Sequence, residues 1–207
     1  MATQPRAQTP ALTRQRLLAA AERLVLREGV HALSVRRIAA EAAVNPALIR
    51  YHFGGSDGLL RDLALRNAAC IADARTALLD AAGDAAGFDA AIDALVLPLW
   101  APAALEPGAR AIVVLDEVFS RAAPAMREAI WALFAHGVAR VEAALAAALP
   151  DVPRATLAWR IRFVTAAALD VPPRDPAQAR GASGGADPAA RLAAFRAFAA
   201  HALRAGD

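Results

Sequence analysis

The sequence predicts an all-α fold of about nine helices, a three-helix N-terminal unit followed by a larger helical bundle. Three features predict it: apolar residues recur at helical spacing from residue 13 to residue 205, alanine is abundant, and the alternation that a half-buried strand needs is absent. Helix-stop and helix-start residues punctuate the chain at short intervals in its first third. Thr13 can cap a first helix whose inward stripe is Leu17, Ala21, Leu24 and Val25, with Gly29 as its C-terminal stop. Ser34 then stands as a cap before Val35, Ile38, Ala39 and Ala42, a one-face pattern that predicts a short second helix. Asn45 can cap a third helix with Pro46 at its first position, where the missing amide proton costs nothing, and this helix should close near Phe53. A long helix from Asp57 to about Asp80 follows, stopped by the glycines of 83–87. Further helices are expected at about 88–101, 109–122, 125–149, 154–170 and 188–205, divided by proline and glycine. The segment 171–187, rich in both, reads as a loop.

At 207 residues, 57% hydrophobic and 21% charged, with mean hydropathy +0.34, the chain has material for one or two packed domains and is not disordered over most of its length. The longest stretch without a charge, Ala94 to Leu105, has 12 residues and is broken by Pro98 and Pro102, short of the ~20 that span a bilayer. Residues 1–10 lack the apolar core of a secretory signal, so a cytoplasmic location without membrane contact is expected. The single cysteine, Cys70, can form neither an internal disulfide nor a multi-cysteine metal site, and neither a metal nor a cofactor is expected. All 23 basic residues are arginine, which removes the lysine chemistries of Schiff bases, P-loops and kinases. A literal G-x-S-x-G at 181–185 lies in the proline- and glycine-rich loop, without the strand before it that a nucleophile elbow requires, so no enzyme is expected.

Charge is uneven along the chain. Residues 1–66 hold 10 Arg against 5 acidic residues, whereas residues 67–207 hold 13 Arg against 15. A basic N-terminal third is what a polyanion-binding unit shows, and also what a solvated charged face shows. Three short helices with a tight turn between the second and third are a helix-turn-helix arrangement, which sets one helix in a DNA major groove. On the third helix Ile49 and Phe53 face inward while Pro46, Ala47 and Arg50 project outward, with Tyr51 and His52 at the flank. That face offers one long donor, small apolar groups that can touch a thymine methyl, and polar tips for phosphate oxygens.

The stretch from Thr13 to Leu60, TRQRLLAAAERLVLREGVHALSVRRIAAEAAVNPALIRYHFGGSDGLL, resembles the DNA-binding domain of the TetR family of bacterial transcriptional regulators. The likeness rests on Ser34 as cap, Ile38-Ala39, Val44-Asn45-Pro46 at the turn, Tyr51-His52-Phe53, and Asp57 with Leu59-Leu60 opening the fourth helix. It implies a DNA-binding domain over 1–56, of which 1–11 is an arm, and an effector-binding and dimerisation domain over 57–207. It further implies that Arg36, Pro46, Ala47, Leu48 and Arg50 read bases, with Arg50 the candidate for a bidentate guanine contact worth about 1–3 kcal/mol. Ser34, Arg37, Asn45, Tyr51, His52 and Ser56 match positions that hold phosphates or frame the recognition helix; Tyr51 could equally pack helix three on helix one. The sequence departs from the family pattern at Ala43, where glycine is usual, and at Ser56, where lysine is common.

For the second domain the resemblance implies a small-molecule effector pocket and a homodimer. Trp100, Asp116, Phe119, Trp131 and Phe134 are candidates for the pocket, or else fill a bundle core. Leu157, Ile161, Val164 and Ala168, with Leu192, Phe195, Ala199 and Ala202, form two stripes suited to a four-helix contact between chains, or to the chain's own core. The expected function is therefore a sequence-specific DNA-binding regulator, a repressor released from a palindromic double-stranded operator by a small molecule. The alternative is a helical ligand- or partner-binding protein without specific DNA binding.

Overall fold

A computed structural model describes residues 9–83, 87–119, 122–168 and 188–204. Among them run nine α-helices: α1 Pro10–Glu28, α2 Val35–Glu41, α3 Ala47–Phe53, α4 Ser56–Ala82, α5 Phe88–Val96, α6 Ala111–Phe119, α7 Pro124–Ala148, α8 Arg154–Ala167 and α9 Pro188–Arg204. The loop expected at 171–187, with its G-x-S-x-G stretch, lies outside the described residues.

Local chemistry sets most boundaries. Ser34 Oγ accepts from the Arg37 amide at 3.2 Å and starts α2, while Asn45 Oδ1 accepts from the Ala47 amide at 2.8 Å and starts the turn into α3, with Pro46 already helical at φ −53°. Gly29, Gly54 and Gly83 close α1, α3 and α4, each at positive φ. One expectation fails: Thr13 does not cap α1 but lies buried inside it, because Pro10 at the first helical position carries the start of the helix back past it. A second concerns the helix expected at 88–101, which stops at Val96 and tightens into a 3₁₀ turn over Leu97–Trp100, where Pro98 cannot donate the next α-helical bond.

Three apolar clusters hold the molecule. Leu17, Leu18, Leu24, Ile38 and Ile49 pack with Leu59 and Leu63 of α4, and the same cluster takes in Ala103 and Val114 from beyond α5. The N-terminal unit is thus sealed partly by the second part of the chain. Ala64, Ala68 and Ile71 of α4 meet Leu115 and Val118 of α6 and Ile130 of α7. The largest cluster joins α5, α7, α8 and α9 through Ile92, Leu145, Leu157, Val164 and Leu203. Helix α4 runs through all of this, packing on α3, α5, α6 and α7. At 25 residues α7 is the one described helix long and apolar enough to cross a membrane, and here it lies along α4 and α5.

Candidate nucleic-acid interface

The outward face of α3 is built from its first residues. Pro46, Ala47, Arg50 and Tyr51 are exposed, while Ile49 is fully buried and Phe53 packs against the core beneath the Arg14 guanidinium. Tyr51 is 76% exposed, so of its two expected roles the packing of α3 on α1 is excluded by position. Its ring meets that of His52 edge-on, with centroids 4.9 Å apart. Leu48, expected on the base-reading face, instead packs against the N-terminal core, since its position on the helix follows Ile49 rather than Arg50.

Around α3 the arginines divide into two groups. Arg23, Arg27 and Arg37 are held by Glu41 and Glu28: Arg23 Nε to Glu41 at 3.1 Å, Arg27 Nη2 to Glu41 at 3.2 Å, and Arg37 Nη2 to Glu28 at 2.6 Å. The hydrogen bond from Arg37, then that from Arg27, holds the Glu28 carboxyl below its ordinary range, and Arg27 and Arg23 do the same for Glu41. Arg36 and Arg50 are exposed and enter none of these ion pairs. Two exposed guanidinium groups, one on α2 and one on α3, therefore stand outside the network. Ser56 is the first residue of α4.

Sequence reasoning missed what lies behind this face. Glu22 of α1 and Asn67 of α4 are both fully buried. Asn67 Nδ2 donates to Glu22 Oε1 at 2.7 Å, and the Leu105 amide donates to Glu22 Oε2 at 2.8 Å. The Ala104 amide donates in turn to Asn67 Oδ1 at 3.2 Å. A second tie runs from the Val30 amide to Glu117 Oε2 of α6 at 3.3 Å, and a third from Arg23 Nη1 to Glu106 at 3.1 Å. Removing one member of a buried, hydrogen-bonded set leaves its partner unsatisfied at a cost of about 1–3 kcal/mol, so α1 cannot shift freely against α4 and the 104–106 segment.

The expected pocket residues separate into two places. Phe119, Trp131 and Phe134 form a chain of edge-to-face rings, with centroids 6.4 and 6.2 Å apart, on the α6–α7 side. Asp116 is half-buried on α6. Trp100 instead packs on Phe195 at 5.0 Å with Arg110 over its ring at 4.9 Å, in the α9 cluster. A cavity of about 330 Å³ between α7 and α8 is lined by Glu142, Arg154, Leu157 and Ile161 and touches none of these aromatics. The two stripes expected at a dimer contact face the chain's own core: Leu157, Ile161, Val164, Ala168, Phe195 and Ala199 are buried, with Leu192 and Ala202 packed against the same cluster. The apolar residues that α8 and α9 turn outward are Trp159, Phe163 and Phe198, which periodicity alone does not single out. Burial pushes the Cys70 thiol up, helped by the charges of Glu22 and Asp73, which suits a packed, protonated side chain.

Residues 17–63 match the profile of the tetR family of bacterial regulatory proteins, and residues 93–206 match that of the tetracycline-repressor-like C-terminal domain. Solved structures share the fold. SCO7518 of Streptomyces coelicolor A3(2), a candidate transcriptional regulator, aligns at TM-score 0.55 and 24% identity over 92% of this chain and 95% of its own. PfmR of Thermus thermophilus, a TetR family transcriptional regulator, aligns at 0.58 and 19% over 93% and 96%. The multidrug binding protein EbrR, solved with imidazole, aligns at 0.51 and 27% over 88% and 93%. No curated protein matches the chain significantly.

Proposed function

The chain belongs to the TetR family of bacterial regulatory proteins and is a DNA-binding transcriptional regulator, and from that premise we propose that it is a homodimeric, non-enzymatic repressor whose operator affinity falls when a small molecule binds its second domain. The observation that carries the reading is the exposed face of α3, where Ala47, Arg50 and Tyr51 stand clear of a core fixed by Ile49, with Arg36 likewise exposed on α2. Arg50, Arg36, Pro46 and Ala47 read base edges. Tyr51, His52, Ser34 and Ser56 hold phosphates and set the register without reading sequence. Arg37 acts through Glu28, bracing α2 rather than meeting DNA itself.

Two copies related by a twofold axis would present two such faces to successive turns of one side of the duplex, so the operator is a near-palindrome. The effector occupies the aromatic side of α4, α6 and α7. Preferring one pose of that bundle, it moves α4, and the Glu22–Asn67 set passes the motion to α1. A 100-fold loss of operator affinity needs about 2.7 kcal/mol of differential effector binding. Fluorescence anisotropy on duplexes flanking the protein's own gene, with random duplex as competitor and at two salt concentrations, tests the reading. Preference that survives competitor, with affinity falling as salt rises, is the expected result; equal weak binding to every duplex would leave a helical ligand-binding protein.

A further inference from the structure

Arg75 of α4 is buried to 5% exposure, with no acidic partner among the described residues. Its Nε donates to the Ala94 carbonyl of α5 at 3.1 Å, its stem lies against Gly137 of α7, where a Cβ would stand 3.1 Å from Cδ, and its guanidinium faces the Phe134 ring at 6.0 Å. Burial alone pushes this guanidinium down to about 10, which still leaves it charged at neutral pH. An ion in such surroundings is ordinarily paired, because a carbonyl and a ring face replace only part of the hydration it gives up. With Nε engaged, Nη1 and Nη2 remain as the end-on fork that matches the two oxygens of a carboxylate. The adjoining Phe134 ring, half-buried on α7, suits an organic body, and an inorganic anion would leave it unused.

We infer that Arg75 is the anchor of the effector site and that the effector is an organic carboxylate, its charge paired with Arg75 and its apolar part on the Phe134 side of α7. The inference rests on the effector-responsive reading above and names the ligand class for it. Asn67 lies eight residues before Arg75 on the same helix, about 12 Å along its axis. A carboxylate that draws Arg75 therefore pulls on the helix that holds Glu22.

The test needs no DNA, so its failure is separate from a failure of operator binding. Thermal unfolding and calorimetric titration of the whole protein with benzoate and hexanoate, against benzamide and hexanamide at equal ionic strength, should show each acid binding at least tenfold tighter than its amide and raising Tm by several degrees. Arg75→Met should fold and lose the acid-over-amide preference. Arg75→Lys, which keeps the charge but not the fork, should retain the preference with weaker affinity and serves if the methionine variant does not fold. No acid preference in the parent protein, or a preference undiminished in these variants, would overturn the inference.

Discussion

Ala43 is the one non-glycine among the described residues with positive φ, at 52°. It is held there because the α2–α3 turn closes with the Ala43 amide on Ala40 O at 3.0 Å and the Val44 amide on Ala39 O at 3.0 Å. A Cβ in the left-handed region costs roughly 1 kcal/mol, so alanine in place of the family's usual glycine is a real strain at the hinge of the DNA-reading motif. Ala43→Gly should raise the urea midpoint by the equivalent of about 0.5–1 kcal/mol, less the entropy that glycine returns to the unfolded chain; a fall in midpoint would mean the turn is not strained. On the proposed reading Arg50 bears on recognition instead of stability. Exposed and outside the ion-pair network, it contributes nothing to the core, so Arg50→Ala should leave stability unchanged within about ±0.5 kcal/mol. The same variant should lose about 1–3 kcal/mol of discrimination between operator and random duplex, measured by competition anisotropy. Loss of affinity for every duplex alike would reassign Arg50 to phosphate.

The junction of α3 with α4 depends on glycine for a second reason. A Cβ on Gly58 would stand 1.9 Å from the Phe53 carbonyl oxygen, a backbone atom that no rotamer change can move. Gly58→Ala should cost about 1–3 kcal/mol in urea denaturation and misplace the recognition helix, weakening operator binding at temperatures where the variant is still folded; wild-type stability would mean that the helices separate easily. On the α1–α2 face the relevant lever is acid. The folded-state carboxyls of Glu28 and Glu41 sit below their ordinary value, so their contribution is present above the unfolded Glu range and is lost as pH falls through the folded one. Between about pH 5 and pH 3 the denaturation midpoint of the parent should drop more than that of Glu41→Gln, and parallel curves would show the network to be without effect on stability. Helix existence and the caps at Ser34 and Asn45 were legible in the sequence because they depend on bonds between neighbours. Glu22, Asn67 and Arg75 were not. A charged or amide side chain on a helix reads as solvated, and the groups that make these three buried lie 19 to 83 residues away in sequence.

At the scale of the whole molecule, the sequence showed which helices are amphipathic but not which of their apolar faces stays inside. α8 and α9 carry apolar residues on two sides, and the regular stripe of Leu157, Ile161 and Val164 went to the chain's own core because α5 and α7 supply a matching surface. What remains outside is Trp159 stacked on Phe163 at 6.1 Å, one helical turn apart, and Phe198 on α9. Large aromatic groups gathered on an otherwise exposed face mark an interface more often than a solvated surface. In a twofold dimer the two operator faces are joined only through the contact between chains, so dimer stability and DNA affinity must fall together. Trp159→Ser combined with Phe163→Ser should convert the protein to monomer in sedimentation or light scattering at micromolar concentration, with the fold retained because neither side chain enters the core. Operator affinity should then drop by well over tenfold, since binding of the second half-site no longer benefits from a high effective concentration. A variant that stays dimeric would move the interface elsewhere, and the outward face of α7, with Trp131 and Leu133 exposed, is where the next pair of substitutions belongs.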